Sequence, residues 1–370
     1  MDEKFSLKDE LFNATTLRVL ADDFGGVLDA DAFHTDIMEG LLPLELMARI
    51  EWIAEVLARH LPDAFEDKAT AIFDSLPPPL DPTRSDDDFG AFIYAPLGHL
   101  VATYGVEHHR DLSFRLIEAI TQRFSMEWAM RPFLNRWPDE AVAQMEIWAD
   151  HENYHVRRLA SEGTRPKLPW GKGIKIDPIL MVPILDKLHD DRTRYVTRSV
   201  SNHLNDIGKF SPDVVIDRLA TWRKAGAQDE KELRWMDRHA LRTLIKNGHA
   251  GAMAHLGYRP DPDVRLVSLT VTPDVIAIGN VVAVEIEIEA GCQEPVIIDY
   301  AIHFLKSNGT TAPKVFKVKD LTLEPNKPVT LKKNHRFKCD ATTFRLYPGA
   351  QFLTVTANSK SLGRVDFTLV

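Results

Sequence analysis

The segment Tyr258-Arg259-Pro260-Asp261-Pro262-Asp263-Val264 separates two kinds of sequence. Upstream of it, apolar residues recur at intervals of three and four. Residues 44–61 (LELMARIEWIAEVLARHL), 114–124 and 213–222 all have this spacing, the period of a helix with one buried face. Downstream, the period falls to two. Residues 281–288 (VVAVEIEI), 296–304 (VIIDYAIHF), 315–321, 329–337 and 352–357 alternate or run β-branched, with turns such as Ser307-Asn308-Gly309 between them. All seven tryptophans lie before the boundary. The pattern predicts an all-α domain over residues 1–260 and an all-β sandwich of immunoglobulin-like type over residues 264–370. The second domain has no tryptophan, and Cys292 and Cys339 do not sit where an antibody-type bridge would, so it is Ig-like only.

The helical part repeats. Arg115, Arg158, Arg198 and Arg242 align with similar neighbours at spacings of 43, 40 and 44 residues, and acids stand eight residues upstream in two copies, Asp150 and Asp190. A period near forty, two helices per unit, is the signature of HEAT-like repeats stacked into a superhelical solenoid with a concave face. Turn acids such as Asp150 and Asp190 are expected partners for these arginines.

Charge is distributed unevenly. The 370 residues carry a formal net charge of −9, which taken whole argues against a polyanionic partner. The acidic excess is concentrated in residues 1–150, however, and both 151–263 and 264–370 carry a basic excess. Nucleic acid is therefore compatible with the second half of the chain. Within the sandwich, Lys314, Lys317 and Lys319, then Lys332, Lys333, Arg336 and Lys338, form basic clusters on candidate strands. No run approaches the roughly 18 apolar residues of a membrane span, and MDEKFSLKDELF lacks the blocks of a signal peptide, so a cytoplasmic location with no membrane partner is expected.

Two segments could carry chemistry. His151-Glu152-Asn153-Tyr154-His155 fits H-E-x-x-H, the zinc-hydrolase spacing that places two imidazoles on one helical face. The sequence continues Val156-Arg157-Arg158-Leu159 without a third ligand, and two arginines would repel a divalent cation. Turn and helix-start residues are the favoured reading, and no metal or cofactor is expected. The second segment is residues 154–171, YHVRRLASEGTRPKLPWG. Arg158 and Glu162 are four apart and share a face if helical. A proline-stiffened loop follows, with Arg165 and Lys167 available for phosphates and Trp170 for stacking on a sugar or base. The same spacing also suits a rigid connector with Trp170 tucked into the next repeat.

The string VRRLASEGTRPKLPWG (residues 156–171), with Glu127-Trp128-Ala129-Met130-Arg131-Pro132-Phe133 and Asn202-His203-Leu204-Asn205-Asp206, resembles the bacterial DNA alkylation repair glycosylases of HEAT-like-repeat fold. The closest likeness is to the AlkC branch of the AlkC/AlkD superfamily. Some members of that branch carry a C-terminal Ig-like domain. The resemblance implies a monofunctional glycosylase of base excision repair acting on alkylated double-stranded DNA. It would cut the N-glycosidic bond of cationic bases, N3-methylcytosine and N3-methyladenine, without flipping the base. It implies Glu127 and Glu162 as active-site carboxylates, Arg158 on the same helix face, Trp170 beside the lesion, and Asp206 as a further site residue. A monomer in the bacterial cytosol or nucleoid is expected. Without the resemblance, the competing class is a solenoid scaffold that binds proteins through its concave face.

Overall fold

The computed structural model describes residues 6–86, 89–169, 171–339 and 345–370. Helices α1 Leu7–Leu11, α2 Ala14–Asp23, α3 Ala30–Leu41, α4 Leu46–His60, α5 Phe65–Ser75, α6 Ala95–Gly105, α7 Arg110–Thr121, α8 Glu127–Arg136, α9 Pro138–Trp148, α10 Tyr154–Glu162, α11 Val182–Leu188, α12 Arg194–Ile207, α13 Pro212–Ala225, α14 Glu230–Lys246 and α15 Ala250–His255 come first. Strands β1 Val264–Thr272, β2 Val275–Ile276, β3 Val281–Ala290, β4 Glu294–Leu305, β5 Thr311–Leu323, β6 Val329–Arg336, β7 Gly349–Ala357 and β8 Lys360–Leu369 complete the chain. The fold is a helical solenoid of HEAT-like repeats followed by an Ig-like β-sandwich, as the periodicity predicts. No helix among the described residues is long and apolar enough to cross a membrane.

The chain forms two compact units, one of Met1–Phe210 with Thr221–Ala240, the other of Ser211–Ala220 with Leu241–Val370. In the first, α3 packs on α4, α4 on α6, α6 on α8, α9 on α10 and α10 on α12. Fully buried Leu57, Leu97, Leu100, Phe133, Trp148, Leu159 and Val200 fill the space between them. Burial of such side chains contributes roughly 1.5–3 kcal/mol each before entropy is subtracted. Arg158, Arg198 and Arg242 lie on α10, α12 and α14, two helices apart each time. Arg115 does not keep this step: it sits on α7, three helices before α10. The short α8 and α9, joined at Trp137 alone, fit into the same number of residues as an ordinary pair plus loop.

In the second unit, strands in the order β1-β3-β6 face strands in the order β2-β8-β7-β4-β5. The burial of β3 alternates along its length, with Val282, Val284, Ile286 and Ile288 inward, so its VVAVEIEI pattern is that of a sheet with one wet face. Met253, Tyr258 and Ile297 form a satellite cluster between the last helix and β4. Tyr258 Oη donates to Asp320 at 2.9 Å. Asn358, at φ 47, donates through Nδ2 to the Arg259 and Pro295 carbonyls and accepts from Ile297 N. The segment that divides the two sequence patterns is thereby bound to the sandwich edge.

Candidate active site

Three helices and one loop build a polar cluster inside the first unit. Glu127 is the first residue of α8, where the positive end of the helix dipole favours a carboxylate. Glu162 is the last residue of α10, where the dipole opposes one, so its charge must be compensated by neighbours. Asn153 caps α10 by accepting from His155 N, which starts the helix at Tyr154 and puts Arg158 one turn before Glu162. α12 lies alongside and supplies Ser199, His203 and Asp206.

The charged groups alternate in sign along one line. Glu127 Oε2 is 3.3 Å from Arg158 Nη1, Arg158 Nη2 is 3.7 Å from Glu162 Oε1, and Glu162 Oε1 is 2.6 Å from Arg165 Nη1. Arg165 Nη2 is 2.8 Å from Asp206 Oδ2, and Asp206 Oδ1 is 2.7 Å from Lys209 Nζ. Ser199 Oγ adds a hydrogen bond to Glu162 Oε2 at 2.7 Å. Burial would raise the Glu162 carboxyl, but Arg158 and Arg165, with the Ser199 hydroxyl, hold it below the ordinary glutamate range. Burial likewise opposes the charge of Arg158, yet Tyr195, Glu127 and Glu162 hold its guanidinium above the ordinary arginine range. Arg158 donates to Ser125 Oγ and lies 4.7 Å over the Tyr195 ring. A cavity of about 570 Å³ flanks the first turn of α8, with Ser125, Trp128, His99 and Glu51 among its lining residues.

Arg131, one helical turn beyond Glu127, holds the loop after α10. Its buried guanidinium donates to the carbonyls of Lys172, Arg165 (2.6 Å), Pro166 (3.2 Å) and Gly163 (3.4 Å). Burial, aided by Arg165, brings this guanidinium down to about 10.

The structure thus brings Glu127, Arg158, Glu162, Arg165 and Asp206 together. Arg165, expected on phosphates, is turned inward here, with both sides of its guanidinium taken by Glu162 and Asp206. Lys167 stands apart, exposed on the loop. Trp170 lies outside the described residues. The repeat logic assigns turn acids to the arginines, but the bracing falls to Arg157, bonded to buried Asp191 and to the His151 and Glu152 carbonyls. Asp150 pairs with Lys187 instead. The H-E-x-x-H segment straddles a helix start: His151 precedes the Asn153 cap and accepts from Asn153 N, while His155 is buried inside α10. Among the described residues no group of three His, Cys, Asp or Glu side chains is placed to hold a metal ion. Sequence reasoning missed Ser125, Arg131, Ser199, His203 and Lys209. Only Ser199 and His203 left a legible mark, lying four and three residues apart along one α12 face with Asp206.

A stack of paired helices with a buried, charge-alternating cluster on its α8, α10 and α12 helices, ahead of an Ig-like sandwich, defines the HEAT-like-repeat class with a C-terminal β domain. Comparison with known proteins narrows this. Residues 265–370 match the family model described as "Uncharacterised protein YhaZ, C-terminal Ig-like domain". The chain is 38% identical to YhaZ of Bacillus subtilis (strain 168) over 270 residues, 72% of this chain and 74% of that protein. Among solved structures it is similar to the Pseudomonas fluorescens alkylpurine DNA glycosylase AlkC, bound to DNA containing an abasic site analogue. That similarity has a TM-score of 0.88 and 32% identity over 99% of this chain and 100% of the other. The chain belongs to the AlkC family.

Proposed function

We propose that this protein is a monofunctional DNA glycosylase that removes cationic N3-alkylated bases, N3-methylcytosine and N3-methyladenine, from double-stranded DNA. The observation that carries the reading is the pair of carboxylates joined through one guanidinium, Glu127–Arg158–Glu162, in a chain similar end to end to a DNA-bound alkylpurine DNA glycosylase.

The chemistry follows from the leaving group. A base methylated at N3 is positively charged and departs with the glycosidic electron pair as a neutral heterocycle, so it needs no general acid. Positive charge develops on the sugar instead, and a water oxygen must bond to C1′ while losing a proton. A carboxylate stabilises the sugar cation and accepts or directs the water proton. Glu162, held ionised by its partners, meets the electrostatic requirement. Glu127, partly buried between Met126 and Trp128 of the cavity lining, is the less enclosed of the two and is the one assigned to the incoming water. Arg158 fixes the separation of the two acids. Lys167, with the basic excess of the second half of the chain, meets backbone phosphates.

Release of bases from methylated duplex DNA by wild type, Glu127→Gln and Glu162→Gln tests this reading. Both variants are expected to lose activity. Unchanged rates in both would defeat the assignment, and efficient excision of a neutral base such as hypoxanthine would defeat the cationic-substrate argument.

A further inference from the structure

We propose that Ser199 and His203 of α12 are positioning residues for Glu162, one fixing its carboxylate and the other its backbone; this rests on the glycosylase reading of the site. Ser199, His203 and Asp206 are spaced four and three residues apart and so share the face of α12 that meets α10. Each is buried and each reaches the end of α10 by a different route. Ser199 Oγ lies 2.7 Å from Glu162 Oε2 and 2.9 Å from Ser161 Oγ. A hydroxyl has one proton, and an ionised carboxylate only accepts. The Ser199 proton therefore goes to Glu162, and Ser161 donates to Ser199 in turn. This fixes the rotation of the carboxylate and leaves Oε1 for the two arginines.

His203 acts on the main chain. Its Nδ1 lies 3.0 Å from the Ser161 carbonyl, an acceptor, so Nδ1 carries the proton. The last carbonyls of a helix have no partner within it. Here the Ala160 carbonyl accepts from Thr164 Oγ1 at 2.8 Å, the same hydroxyl lies 3.1 Å from the Ser161 carbonyl, and Ser161 accepts from His203. The peptide immediately before Glu162 is thereby tied to a second helix. Burial, reinforced by Arg165, pushes the His203 imidazole down to about 4, so it remains the neutral Nδ1–H form near neutral pH. Its Nε2 is buried with no hydrogen-bond partner among the described residues. A fully buried side chain that leaves one polar atom unmatched to secure one specific carbonyl is placed for geometry at the expense of packing.

The test uses the full chain with Ser199→Ala, Ser199→Thr, His203→Leu and His203→Asn. Single-turnover base release from dimethyl-sulfate-treated duplex DNA is measured across pH, together with affinity for a duplex containing an abasic-site analogue. S199A and H203L are expected to slow release about 10- to 100-fold, the cost of a misplaced catalytic group, with affinity within about twofold. S199T and H203N, which keep a donor at the same place, restore most of the rate. In S199A the acid limb moves to higher pH, because the Glu162 anion loses a donor while Arg158, Arg165, Arg131, Glu127, Asp206 and His203 stay around it. The onset of acid unfolding shifts in the same direction, a readout that needs no activity. Wild-type rates in S199A and H203L, with an unshifted acid onset in S199A, overturn the positioning role. If the wild type releases no base but the acid onset of S199A still shifts, the glycosylase reading fails and the positioning of Glu162 stands.

Discussion

Arg131 supplies the sharpest stability test, because its guanidinium is buried yet bonds only main-chain carbonyls. Arg131→Met keeps most of the aliphatic volume and removes four donors, those to Lys172, Gly163, Arg165 and Pro166. A hydrogen bond from a charged donor contributes about 1.5–3 kcal/mol net, so the three closer ones together contribute about 5–9 kcal/mol. Relief from burying a cation, whose cost shows in the fall of Arg131 to about 10, offsets part of this. A net loss of about 2–4 kcal/mol is expected, which for a unit of this size lowers its melting temperature by about 5–12 °C. The loop after α10 is also released, so trypsin should cut after Lys167 or Lys172 faster than in the wild type. Arg131→Lys retains the charge but lacks the planar fork that spans several carbonyls, and should fall between the two. Circular-dichroism melts and timed tryptic digestion measure both effects. A methionine variant that melts within about 1 °C of wild type and nicks no faster would refute the claim that Arg131 anchors the loop.

Three further expectations concern other parts of the molecule. His203 in the helical unit and His335 in the sandwich are each pushed down to about 4, mainly by burial. The unfolded chain takes up these protons first, near pH 6.5, so the stability they contribute is whole above that value and is lost as pH falls toward about 4; melts from pH 7 to 4.5 should show it, and a slope unchanged in His203→Asn would contradict it. Arg157→Met takes the cation from Asp191, leaving it only the Thr193 N–H and hydroxyl among the partners described, and should cost at most about 3–5 kcal/mol while the folded fraction keeps its rate. Arg158→Met should lose activity beyond any loss of fold, and equal specific activities for the two variants would reverse this division. Duplex binding should weaken steeply between 50 and 200 mM salt, and salt-independent affinity would point instead to a protein-binding scaffold.

Fold class was readable because it depends on period, a local property. The strand patterns of residues 281–288 and 296–304 lie within β3 and β4, and the change of period coincides with the change from α15 to β1. The repeat register was readable only where loops kept their length. It held for Arg158, Arg198 and Arg242 and slipped at Arg115, where α8 and α9 crowd together. The charged cluster was partly legible, since Glu127, Arg158 and Glu162 stand in the strings that carry the family resemblance. Its supports were less so: Ser199 and His203 show only as a shared spacing with Asp206, and Arg131 acquires its role only through the carbonyls of the loop after α10. The partners of Arg165 were hidden for a related reason. A basic residue on a proline-rich loop invites a phosphate, and nothing local announces Asp206, 41 residues away, as its partner.

The alternation Glu127, Arg158, Glu162, Arg165, Asp206, Lys209 also restricts how this family can drift. Loss of any one member leaves one unit of charge unbalanced, and at the exposed Lys209 end water reaches the gap. A change in the middle leaves one sign in excess where water is scarce. Glu162 is therefore expected to change among relatives only together with Arg158 or Arg165, and Lys209, exposed at the far end, can vary alone. The epistasis of the cluster is positional, and it could be read from paired substitutions in an alignment without any assay.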